Sequence, residues 1–145
     1  MNVHDALKAS ARETAAALDL PLGWEGESFA LPARPYLRGR VEYRGEHAAT
    51  CGENGLTRLD GALVLTVAVM IRPGRDGDSV SGADSEAVRL ARCVADRYPR
   101  GYGINTDRGE LVFCVPQVET PRSDSARISA TALLTFYGIL RKEGA

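Results

Sequence analysis

Residues 60–72 read DGALVLTVAVMIR, with apolar side chains on both parities of the run. In an extended chain Leu63, Leu65, Val67, Val69 and Ile71 point one way, and Ala62, Val64, Ala68 and Met70 the other. The β-branched content favours a strand, and a strand apolar on both faces belongs inside a sheet with cover on each side. The apolar stretch 62–71 falls far short of the ~20 residues a membrane-spanning helix needs. This segment therefore predicts a central strand, and the rest of the chain has to supply its neighbours and its cover.

Residues 36–45 supply one neighbour. Leu37, Gly39, Val41 and Tyr43 alternate with Arg38, Arg40, Glu42 and Arg44, the pattern of a strand packed on one side only. A Gly-rich loop over 45–58 joins it to the central strand. Ahead of it, Val3, Leu7, Ala11, Thr14 and Leu18 share one helical face, so the spacing predicts a helix over 3–18. Asn2 caps that helix, and Pro21 prevents its continuation.

A breaker-rich loop follows at 72–84, then a second helix at about 83–98 with Ala87, Leu90, Ala91, Val94 and Tyr98 on one face. Ser81 or Asp84 caps it and Pro99 stops it. TDRG marks a turn before a strand near 110–119, and 127–140 alternates through Ile128, Ala130, Ala132, Leu134 and Phe136 as a last long strand. The order α-β-β-α-β-β predicts one α+β domain over 1–145: a mostly antiparallel four-stranded sheet with two helices packed on it.

Composition narrows the function. The chain has 145 residues and a net charge of -1, which argues against a general nucleic-acid coat or a membrane-surface binder. The N-terminus has no apolar core of signal-peptide type, so a soluble protein of the cytoplasm is expected. Three cysteines, Cys51, Cys93 and Cys114, lack the spacing of a disulfide framework or zinc site and read as inert thiols, buried at Cys93 and Cys114. His4 and His47 stand apart from other ligands and read as solvated.

Known site templates fail in turn. In the loop 74–86, Asp76 and Asp78 start like a calcium loop, but Ser81 and Ala87 replace its glycine and its bidentate glutamate. The same loop lacks the Gly-Lys-Ser/Thr ending of a phosphate loop, GADSEA is no nucleophile elbow, and GYG at 101–103 follows a helix rather than a strand. No catalytic residue, cofactor or metal is expected, which favours a binding or structural protein.

Four segments together resemble a phage family. They are FALPARPYLR (29–38), CGENGLTRLDGALVLTVAVMIRP (51–73), PGRDGDSVSGADSEAVRLARCVADRY (73–98) and a final pair of antiparallel strands. In this order, over about 20–140, the chain resembles the tail-terminator-like proteins of long-tailed bacteriophages, related to the lambda U protein. It departs from the common pattern in having Tyr98 where Phe is frequent, no Trp early in the last strand, and a longer loop at 74–82. The resemblance implies a homo-oligomeric ring, typically a hexamer, on the finished end of the tail tube. Such a ring stops tail polymerisation and presents a surface to the head–tail connector protein. It implies a protein made in the host cytoplasm and carried in the virion tail, with the tail tube protein, the connector and further copies of itself as partners, and no reaction.

Candidate contact residues follow. Trp24, Phe29 and Tyr36, in GWEGESFALPARPYLRGR (23–40), either pin a crossover onto the sheet or form a subunit contact. Arg38, Arg40 and Arg44 either guard an edge strand as a solvated face, or meet an acidic neighbour or DNA threading the ring. Arg58, Arg72, Arg75, Asp76 and Asp78, at the bases or tips of the loops 45–58 and 73–82, are expected to touch neighbouring subunits or the tube. The competing readings are a monomeric head–tail adaptor and a small enzyme with a cleft between sheet and helices.

Overall fold

The computed structural model describes residues 1–48, 55–71, 80–124 and 126–142. The first helix, α1, spans Val3–Ala17, and the Asn2 side chain accepts a hydrogen bond from the Asp5 N–H at 2.8 Å. Its buried face carries Val3, Ala6, Leu7, Ala11 and Ala15. The second helix, α2, spans Val80–Ala95 and buries Ala83, Ala87, Leu90, Ala91, Val94 and Ala95. It begins and ends earlier than its periodicity suggests. Tyr98 lies beyond it in a turn whose N–H bonds the Ala95 carbonyl at 2.9 Å.

The mostly antiparallel four-stranded sheet expected from the sequence is not what the chain forms. The described residues form one mixed sheet of eight strands. These are β1 (Leu22–Trp24), β2 (Tyr36–Ala48), β3 (Leu56–Met70), β4 (Gly103–Thr106), β5 (Gly109–Phe113), β6 (Gln117–Val118), β7 (Arg122–Ser123) and β8 (Arg127–Arg141). Their spatial order is β1-β2-β3-β8-β5-β4, with β6 and β7 also paired to β8. The path curls into a half-barrel. The α+β character with two helices stands, whereas the strand count and the order α-β-β-α-β-β do not, and the pairing of β1 with β2 is parallel.

Each difference has a local cause. β1 pairs parallel to β2, Leu22 opposite Leu37, because the crossover 25–35 brings the chain back in the same direction. β2 and β3 continue into what reads as a loop at 45–58. A bulge between Tyr43 and Gly45 absorbs one residue, and pairing resumes through Ala48 opposite Thr57. β8 is fifteen residues long, so its second edge accommodates β5, β6 and β7 in succession.

β3 is the inner strand, with β2 on one side and β8 on the other. The helices pack on the face bearing Leu63, Leu65, Val67 and Val69, which joins Ala130, Ala132, Leu134 and Phe136 of β8 in the core. On the opposite face, Ala62, Val64 and Ala68 are also buried, lying between the side-chain rows of β2 and β8.

Candidate functional site

The basic row of β2 is carried by strand alternation. Arg38 and Arg40 stand on the sheet face opposite the helices, in register with Thr66 and Val64 of β3. The row is not purely basic. Glu42 sits within it, 3.2 Å from Arg40 and 3.5 Å from Arg44, which lies at the bulge. Arg38 instead covers the Phe29 ring, with its guanidinium carbon 5.3 Å from the centroid. Phe29 packs on Tyr36 at 5.6 Å, and Arg127 lies over Tyr36 at 5.9 Å with its Nε buried and unpartnered.

The aromatic loop is mainly structural. Trp24 is 3% exposed and Tyr36 5%. Trp24 lies flat against β2 at Gly39, where an added Cβ would stand 2.9 Å from the indole. Its Nε1–H donates to His4 Nε2 at 3.3 Å, so His4 is not simply solvated. His47 lies on β2 rather than in a loop, opposite Arg58. Cys93 and Cys114 are half-buried rather than buried.

Of the loop candidates, Arg58 lies on β3, held by Asp60 at 3.1 Å and stacked over Tyr137 at 4.8 Å. Arg72, Arg75, Asp76 and Asp78 lie outside the described residues, as do Cys51 and the middles of both long loops. The structure therefore gathers Arg38, Arg40 and Arg44 on one strand and sets Arg58 on the neighbouring strand β3, opposite His47.

A cleft of about 700 Å³ opens between the start of α1 and the second half of β2, lined by His4, Tyr43, Arg44, Glu46 and Arg108 among others. This is where an enzyme reading would look, and several of its polar groups already have partners. Arg108 donates to Glu46 at 3.0 Å and to the Arg141 carbonyl at 2.7 Å, and His4 is the acceptor for Trp24. Partial burial raises the Tyr43 phenol above its ordinary value, which keeps it protonated. The arrangement braces the open end of the half-barrel. Among the described residues no cluster of three His, Cys, Asp or Glu side chains could hold a metal ion.

The far edge of the sheet holds a residue that sequence reading passed over. Glu110 of β5 alternates with the buried Leu111, which places it on the same outer face as Arg40. Its side chain crosses the edge strand β4 at Gly103, where an added Cβ would stand 2.7 Å from its carboxyl group. Among the described residues Glu110 makes no ion pair, while Arg40 and Arg44 share one carboxylate. The alternation in GELVF signals the face of Glu110, but nothing in the sequence signals that β4 is an edge.

No family model and no curated protein matches this chain. A solved structure is similar in fold, with a TM-score of 0.65 over 97% of this chain and 97% of that one, at 15% sequence identity. Likeness at that identity is likeness of fold. No helix among the described residues is long and apolar enough to cross a membrane.

Proposed function

We propose that this chain is a structural protein of a long-tailed phage or prophage, one that forms a ring on the end of the tail tube, ends tube growth and offers the head its joining surface. The observation that carries this reading is the spatial continuity of the segments behind the resemblance. Residues 29–38 lead into β2, the described part of 51–73 forms β3, and α2 packs on β3 and β8. These pieces make one connected body, β2-β3-β8 with its helix, rather than scattered matches. The cleft supports it indirectly, since several of its polar groups are tied into bracing contacts.

In this reading the virion tail is the protein's destination, and the tube protein, the head connector and further copies of the chain are its partners. Arg38, Arg40, Arg44 and Arg58, with Arg72, Arg75, Asp76 and Asp78 beyond the described residues, are the contact candidates. DNA passing through the lumen would meet whichever of these face inward.

The test is removal of the chain from the phage that encodes it, followed by electron microscopy of the lysate. Overlong tails that fail to join heads are expected, with normal length restored by the chain supplied in trans. Tails of normal length joined to heads would contradict the reading. Tails of normal length that stay unjoined would favour the adaptor instead.

A further inference from the structure

The sheet ends in two edges that differ in sign. On one side, β1 covers β2 only at Leu37–Gly39, so from Arg40 onward β2 has β3 on one flank and, among the described residues, no strand on the other. On the other side, β4 pairs with β5 and, among the described residues, has no strand beyond it. Unpaired strand edges carry backbone N–H and C=O groups open to another strand. Arg40 stands at the first edge and Glu110 lies across the second, both toward the face opposite the helices, while Arg44, at the bulge, reaches Glu42 at 3.5 Å. Tyr43, 49% exposed, flanks the β2 edge, and Tyr102, 37% exposed, precedes β4.

Resting on the ring reading above, we propose that the subunit contact is edge to edge and head to tail: the open part of β2 in one copy docks on β4 of the next, with Glu110 of one chain meeting Arg40 and Arg44 of the other. Two different surfaces on each copy make a heterologous contact, which is what a closed ring requires. Backbone pairing supplies affinity, as in strand addition. Charge supplies choice of partner, because β2 against β2 sets Arg beside Arg while β2 against β4 sets Arg beside Glu. The apolar rings of Tyr43 and Tyr102 lie at the two edges, where aromatic residues are enriched in interfaces.

The test uses two full-length variants, Glu110→Arg and Arg44→Glu, alone and mixed in equal amounts, with mass measured by light scattering across concentration and thermal unfolding as a check of folding. Each variant retains one wild-type edge and has one reversed edge. Each alone should need at least about 10-fold more protein to assemble than wild type, because like charges then face each other. The equimolar mixture should recover wild-type assembly, since every contact in an alternating ring again joins opposite charges. Wild-type assembly by the single variants would overturn the edge contact while leaving the ring reading intact. Failure of the mixture to recover would also overturn it. A wild-type chain that stays monomeric throughout would overturn both.

Discussion

The hydroxyl of Tyr98 lies 2.8 Å from that of Ser10 and 3.0 Å from that of Thr14, joining the turn after α2 to the buried face of α1. The same ring packs on Phe113 at 5.1 Å and Tyr102 at 5.6 Å. One side chain thus ties the turn after α2 and the buried face of α1 to β5, and it is 1% exposed. Tyr98→Phe keeps the packing and removes only the hydroxyl, leaving two buried hydroxyls without their partner. It should cost about 1–2 kcal/mol in urea unfolding. A stability equal to wild type would show that Ser10 and Thr14 satisfy themselves on the backbone of α1.

The same phenol sets a pH dependence. Burial, the largest influence, holds the Tyr98 pKa above its ordinary 10.0, while the Ser10 and Thr14 hydroxyls pull it the other way. The folded chain therefore keeps a proton that the unfolded chain releases. This stability is fully present below the ordinary value of 10.0 and is lost as pH rises from there through the raised value. Melting temperatures should fall above pH 10 in wild type and fall less in Tyr98→Phe, with a residue of the effect from Tyr43. Identical alkaline profiles would contradict this.

Gly39→Ala should unsettle the aromatic crossover. The new methyl would stand 2.9 Å from the Trp24 ring and 3.1 Å from Leu65, closer than side-chain carbons normally approach. A loss of about 1–3 kcal/mol is expected, with a shift in the emission of the chain's single Trp. Unchanged emission and stability would mean the crossover adjusts freely.

Arg108→Ala should loosen the braced end of the half-barrel. The guanidinium, 15% exposed, joins the β4–β5 turn to Glu46 of β2 and to the end of β8. Loss of these partly screened contacts should cost about 1–2 kcal/mol and speed amide exchange at the ends of β2 and β8. Exchange altered equally along the whole sheet would contradict a local brace.

The long strands were legible in the sequence because burial on one face writes itself as period two and burial on both as a continuous apolar run. β8 and the first half of β2, through Arg38, Arg40 and Glu42, show the first, and β3 the second. The second half is hidden by the bulge, which shifts parity at Arg44 and leaves GEHA reading as a loop. β1, β6 and β7 have two or three residues each, too few to show a period, and exist because β2 and β8 offer them an edge. Missing β1, β4 and β7, and reading β5 and β6 as one strand, turned an eight-stranded mixed sheet into a mostly antiparallel four-stranded one. The basic row was visible, but its counterpart Glu110 was not, because which strands end a sheet is settled by tertiary pairing.

Self-association is the claim on which the functional account stands, and the mass of the purified chain measures it most directly. Light scattering across concentration should show growth from the single-chain mass of 15.6 kDa to a closed species of about six copies that stops growing as protein is added. A mass that stays at 15.6 kDa over the whole range would contradict the account and leave a monomeric adaptor in its place.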